Sequence, residues 1–213
     1  MRANLTEDAE RQIMEAVSIL KKGGVVAFPT DTVYGIGAGV DNENGAREIY
    51  EIKGRPRAKP LQVFLSDVSA LGSVARQIPE MVWRVAEALL PGGLTLILWR
   101  QPWLSDVVTA GGDTVAVRIP DHSVPLALVR ELGLPLAATS ANLSNQPSAV
   151  VAEDVRLQLG QRVRLIIDGG RCPEARESTI LDLTAPVPRI LREGAVSRES
   201  IETVCGAKVV MVG

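Results

Sequence analysis

One histidine, His122, and two cysteines, Cys172 and Cys205, are all that the chain holds of those residue types. Two isolated thiols make neither a disulfide framework nor a thiolate metal site, and both read as ordinary thiols. One histidine leaves no room for a His-rich metal centre. A Ser-His-Asp triad would have to run through "RIPDHS", where Asp121, His122 and Ser123 are chain neighbours, and such neighbours seldom reach triad geometry. His122 reads instead as a loop or helix-start residue. No apolar run approaches the roughly 18 residues of a spanning helix. The N-terminus, "MRANLTEDAERQ", lacks the apolar centre and cleavage site of a signal peptide. A cytoplasmic protein without membrane contact is expected. Net charge is −2, so any anion site must be a local cluster rather than a global positive field. No GxxxxGK(S/T) motif occurs, and "GIGAG" lacks the glycine spacing of a dinucleotide fold. Phosphates would have to be held by side chains and scattered backbone N–H groups.

What is present suits a globular chain. Hydrophobic residues make up 46% of the sequence and mean hydropathy is +0.15, which excludes a disordered protein. No repeat, low-complexity tract or linker interrupts the 213 residues, so one domain over 1–213 is expected. Thr6 reads as the cap of a first helix carrying Ile13, Ala16, Val17 and Leu20 at helical spacing and stopped by Gly23-Gly24. "VVAF" reads as a buried strand, "PTDTVYGIGAG" as a loop, and "NGAREIYEIK" as a helix stopped by Gly54. Further strands are expected at "LQVFLS", "LTLILW", "TVAVRI", "LPLAATS", "RVRLIID", "STILDL", "PRILR" and "KVVMV". Helices are expected over 66–75 and 79–90, and from near Ser123, Ala152 and Ser197. Irregular alternation with strands in succession predicts an α/β (α+β-like) fold: a twisted mixed sheet with helices packed on it.

Two polar stretches stand out. "ATSANLS", residues 138–144, ends an apolar strand in small hydroxyl and amide side chains, which suits a turn because Ser, Thr and Asn bond their own backbone. It also suits a rim that lets a ligand approach the main chain. "KGRPRAKPL" carries Lys53, Arg55, Arg57 and Lys59 at a spacing of two, and Pro56 and Pro60 exclude a continuous helix there. In an extended chain alternate side chains point the same way, so four cations would line one side of a loop that an anion neutralises. The plainer readings are solvation for Arg57 and complementing a helix C-terminus for Lys53. Together the stretches describe a row of cations facing a polar rim across a hollow.

"FPTDTVYGIGA", "KGRPRAKPL", "PGGLTLIL", "DTVAVRIPDH", "ATSANLSNQPS" and "ESTILDL", in this order, resemble the YrdC-like threonylcarbamoyl-adenylate synthases over residues of about 10–205. The resemblance implies a YrdC-type sheet with an open, concave basic groove. It also implies a nucleotidyltransferase that makes threonylcarbamoyl-AMP and pyrophosphate from L-threonine, bicarbonate and ATP. Mg²⁺ would accompany ATP. Downstream threonylcarbamoyl-transfer proteins would use the product to modify adenosine-37 of tRNAs reading ANN codons. Carried over position by position, Lys53 and Arg55 would hold phosphates and act in catalysis, with Lys59 nearby. Thr114, Ser140, Asn142, Ser148 and Arg192 would complete the ATP site, while Thr32, Arg118 and Ser178 would hold threonine. Without the resemblance, Thr32 reads as a turn residue, Arg118 as half of a surface ion pair and Ser178 as a strand-edge hydroxyl.

Three positions depart from the family pattern. Gly93 stands where proline is common, Asn145 where glycine is usual, and Phe64 where some members carry a polar residue near threonine. Closure of the site is expected to come from "REGAVSR". Two other classes compete with the synthase. A double-stranded RNA- or tRNA-binding module would use the same cations on phosphates. A carbamoyl-adenylate module of the hydrogenase-maturation kind would sit in a much longer chain.

Overall fold

A computed structural model describes residues 7–212 of the chain; the expected Thr6 cap lies outside them. Helix α1 (Glu7–Lys21) opens with Glu7, Asp8 and Glu10 in its first turn and buries Ile13, Ala16, Val17 and Leu20, charges and spacing that suit both its dipole and its packing. Strand β1 (Val26–Phe28) follows. Residues 35–39, expected as loop, form β2 (Gly35–Gly39), paired antiparallel with β1. The ring of Phe28 lies flat enough against this strand that a Cβ at Gly35 would sit 2.9 Å from it. The glycines there make room for a side chain from the neighbouring strand.

Helix α2 (Glu43–Lys53) starts at Asn42, whose side chain accepts from the Gly45 N–H, and ends at Gly54 with φ 58°, the left-handed cap that glycine favours. Strand β3 (Gln62–Phe64) is followed by a single 3₁₀ turn, α3 (Leu71–Val74) and β4 (Ala75–Arg76). The continuous helix expected over 66–75 is thus broken, because the Asp67 carboxylate caps the 3₁₀ turn and Ala75 turns extended to pair with Arg100. Next come α4 (Glu80–Leu89), β5 (Leu94–Arg100), the short α5 (Asp106–Thr109) and β6 (Thr114–Arg118). Helix α6 (Ser123–Leu132) takes His122 as its cap, Nδ1 accepting from the Val124 N–H. After β7 (Leu136–Ser140) and α7 (Ala152–Leu159), the segment expected as strand "RVRLIID" makes only an isolated parallel bridge, Ile166 to Ala27. Strands β8 (Thr179–Asp182) and β9 (Arg189–Arg192), helix α8 (Arg198–Cys205) and β10 (Val210–Met211) complete the chain.

The strands form one mixed 10-stranded sheet in the order β1-β2-β7-β3-β6-β5-β8-β9-β10, with β4 paired to β5. Pairs β3/β6, β5/β8 and β9/β10 are parallel. Alternation along β1 shows that both faces are covered. Val25 and Ala27 join the larger core with α2, α4 and α8, while Val26 and Phe28 join the smaller core with α1 and α6. That smaller core takes Phe64 of β3 and Leu136 and Ala138 of β7 but no residue of β5, β6 or β8. On this face the helical cover stops halfway across the sheet, and the remaining half is open.

Candidate active site

The uncovered half of the sheet floors a cavity of about 530 Å³. Strand periodicity decides what faces it. Leu94, Leu96 and Leu98 of β5 point into the larger core, leaving Thr95 and Ile97 for the cavity; likewise Val115 and Val117 of β6 leave Ala116 and Arg118. Gln62 and Phe64 of β3 and Ser178 and Ile180 at β8 line it from the same face. The walls are the segment from Lys53 to Pro60, the loop from Thr139 to Gln146, and Glu177 with Leu191 and Arg192.

The cation row and the polar rim do not face each other across a gap; they touch. Lys53 is 2% exposed. Its ammonium donates to the backbone carbonyls of Ser140 and Asn142 and lies 3.4 Å from Asn142 Oδ1. Asn142 in turn donates through Nδ2 to the carbonyls of Leu143, at 2.9 Å, and Gln146, at 2.8 Å. Burial, with the positive charge of Arg55 beside it, pushes the Lys53 amine down to about 7, while Glu177 pulls the other way. The three carbonyl oxygens around the nitrogen favour the ammonium, with its three N–H donors, and so oppose that push without cancelling it.

The extended comb of four cations is not what the loop forms. Lys59 N donates to the Pro56 carbonyl at 3.0 Å, curling the segment into a turn whose first residue is Pro56. Arg55 braces the turn through Nε to the Lys59 carbonyl at 3.0 Å and Nη2 to the Pro60 carbonyl at 2.8 Å. Arg57 leaves the cavity altogether: its guanidinium packs 5.9 Å from the Tyr50 ring centre and pairs with Glu51 at 3.7 Å. Lys53, Arg55 and Lys59 line the cavity; Arg57 does not.

At the other end Arg118 is held on three sides. Nη2 donates to Asp31 at 2.7 Å and Nε to the Gly92 carbonyl at 3.1 Å, and the guanidinium lies 5.8 Å from the Phe64 ring centre. The surface ion pair expected of Arg118 is therefore a buried one, with both side chains under a tenth exposed. Burial pushes the guanidinium down from its ordinary value and Asp31 opposes it. Ser178 Oγ lies 2.9 Å from Thr95 Oγ1. Arg192 donates to the Ser178 carbonyl through Nη2 at 2.9 Å, and its Nη1 pairs with Glu177, which also accepts from Ser148 Oγ at 2.7 Å. Gly194 makes this crossing possible, because a Cβ there would overlap the Glu177 carbonyl and the Ser178 backbone.

Of the residues singled out in the sequence, Lys53, Arg55, Lys59, Arg118, Ser140, Asn142, Ser178 and Arg192 line this one cavity. Thr32, Thr114 and Ser148 are not among its lining residues. Thr32 is wholly buried behind Thr30, whose Oγ1 lies 3.0 Å from Thr32 Oγ1 and which itself reaches the cavity. Thr114 lies on the cavity face of β6, one alternate position beyond Ala116. Ser148 stands behind Glu177. Asp31, Thr95 and Glu177 were not picked out from the sequence. Thr95 had a readable signal, being the one polar residue among the apolar ones of "LTLILW". Of the three departures, Asn145 adopts φ 67°, Phe64 lies against the Arg118 guanidinium, and a Cβ at Gly93 would lie 2.6 Å from that of Ala195.

Comparison with known proteins places the chain. The Sua5/YciO/YrdC family model, described as "Telomere recombination", matches residues 18–194. A Bacillus subtilis protein named threonylcarbamoyl-AMP synthase is 47% identical over 196 residues, covering 92% of this chain and 57% of that protein. A Mycobacterium tuberculosis protein named putative threonylcarbamoyl-AMP synthase is 39% identical, covering 94% of this chain and 92% of that one. Among solved structures, Pyrococcus abyssi Sua5 complexed with L-threonine superposes with a TM-score of 0.93 at 40% identity, covering 95% of this chain and 59% of that one. The chain thus spans less than two thirds of the length of the Bacillus and Pyrococcus proteins it matches.

Proposed function

The chain belongs to the Sua5/YciO/YrdC family, and from that premise we propose that it is a threonylcarbamoyl-adenylate synthase. The observation that carries this reading is one cavity with two charged ends: Lys53, Arg55 and Lys59 at one and the buried Arg118 at the other, with Arg192 reaching between them from a strand position level with Arg118. The first end suits a triphosphate and the second an amino-acid carboxylate, which Arg118 would take in place of bulk water. Ser140 and Asn142 would bound the nucleotide, with Thr114 and Ser148 reaching it from beyond the cavity lining. Ser178 would contact threonine directly, and Thr32 would act through Thr30.

The reaction asks for little covalent chemistry from the protein. The threonine amine and bicarbonate give a carbamate with loss of water. A carbamate oxygen then attacks the α-phosphorus, and the bond to the β-phosphate breaks with pyrophosphate keeping the electron pair. Holding the two substrates in line and neutralising charge on the departing pyrophosphate are the main demands. Lys53, Arg55 and Arg192 meet the second. Mg²⁺ arriving with ATP would find one carboxylate, Glu177, among the described lining residues, which fits an ion that keeps phosphate oxygens and waters as its other ligands and spreads phosphate charge. The product, a mixed anhydride, would pass to proteins that transfer threonylcarbamoyl to tRNA.

Pyrophosphate release with each substrate omitted in turn tests the reading. Release that requires ATP, L-threonine and bicarbonate together is expected. Release indifferent to threonine overturns it. Steeply salt-dependent RNA binding without any release would favour a purely RNA-binding role instead.

A further inference from the structure

Thr95 is completely buried yet it is part of the cavity floor. The register Leu96 to Val117 between antiparallel β5 and β6 makes Thr95 the cross-strand neighbour of Arg118, and both face the cavity. On the other flank Thr95 is level with Ile180 of β8, which brings Ser178 Oγ within 2.9 Å of its Oγ1. The Ser178 oxygen also lies 3.4 Å from Arg192 Nη2.

The two hydroxyls carry two hydrogens, and one of them spans the pair. Among the described residues the only other hydrogen-bond partner of the two hydroxyls is Arg192, which is a donor. The second O–H therefore has no protein acceptor and is left for whatever occupies the cavity beside the Arg118 guanidinium. A guanidinium with a hydroxyl donor at its side is complementary to a carboxylate. Valine at position 95 would keep the shape of the side chain but leave Ser178 free to rotate.

We propose that Thr95 is a positioning residue of the amino-acid subsite: its hydrogen bond to Ser178 aims the pair's remaining O–H at the substrate carboxylate bound by Arg118. This rests on the synthase reading above. Thr95 touches no reacting atom; it acts by fixing the direction of a neighbour.

Thr95→Val and Thr95→Ser in the full chain test it, read by pyrophosphate release and by calorimetric binding of L-threonine. Thr95→Val is expected to raise the KM and Kd for L-threonine by roughly tenfold, the worth of one hydrogen bond to a charged group. Its kcat and its KM for ATP should stay within about twofold of wild type. Thr95→Ser should restore threonine affinity. An unchanged threonine KM in Thr95→Val overturns the proposal. So does an equal rise in both KM values, or a Thr95→Ser that fails as Thr95→Val does, which would assign the effect to packing. Should Thr95→Val not fold, Thr95→Ala against Thr95→Ser repeats the comparison. Wild-type protein that binds no threonine would sink the synthase reading itself, a result separate from an active wild type with an unaffected Thr95→Val.

Discussion

Two arginine–carboxylate pairs frame the cavity, alike in chemistry and unlike in burial. Arg118 and Asp31 retain 4% and 7% of their side-chain exposure, whereas Arg192 and Glu177 retain 38% and 39%. Between buried charges the pairing is obligatory, because either one alone would be stranded away from water. Between half-exposed charges water can replace either partner, so the pairing contributes little and can be exchanged. Arg118 is accordingly part of the framework, pre-set by Asp31, the Gly92 carbonyl and the Phe64 ring. Arg192 and Glu177 form a contact that an incoming anion can open. The charge in the cavity is thus part rigid and part adjustable, which suits a small substrate of fixed shape beside a large, flexible polyanion.

The strongest way to break this contrast is to remove each arginine. Arg118→Ala should cost about 3–5 kcal/mol in urea unfolding by leaving Asp31 buried and unpaired, whereas Arg192→Ala should cost about 1 kcal/mol or less. Equal losses would mean that burial does not separate the two pairs. The adjustable part can be sharpened by pH. Lys53 sits near 7 in the free protein, and a bound polyphosphate raises it, so the complex holds more protons than the free state. Affinity for inorganic tripolyphosphate should then fall as pH rises above 7, by up to about tenfold per unit until the complex itself titrates. Calorimetry at pH 8 in buffers of different ionisation enthalpy should show uptake approaching about one proton; no uptake would remove Lys53 from the proposed phosphate site. The smallest effect concerns Glu177→Gln, which takes a negative charge out of the cation cluster. Tripolyphosphate should bind it about two- to fivefold more tightly, in keeping with a half-exposed pair. Weaker binding would show that Glu177 organises Arg192 and Ser148 for the ligand rather than occupying them.

Much of the framework was legible in residue spacing, and the reasons are local. The apolar positions of α1 and the Gly54 stop of α2 mark their elements because a helix satisfies itself within a few residues. Misreadings fell where a distant neighbour decided. "GIGAG" looks like a loop until the Phe28 ring occupies the space that side chains would need. "RVRLIID" carries a strand pattern yet makes one bridge. The spacing of "KGRPRAKPL" suggested a comb, but the Arg55 guanidinium bonding Lys59 and Pro60 carbonyls curled it, and Tyr50 and Glu51 drew Arg57 away.

The sequence by itself determined the class of fold, the absence of a long apolar span, and which short stretches carry hydroxyls and cations. Those properties depend on composition and on contacts a few residues apart. Only the tertiary structure decided that Lys53 is sealed against the rim it was expected to face, that Arg118 is locked by Asp31, and that Thr95 leans on Ser178. Each of these joins groups more than eighty residues apart, and no local rule measures such a distance. Sheet register and burial set it.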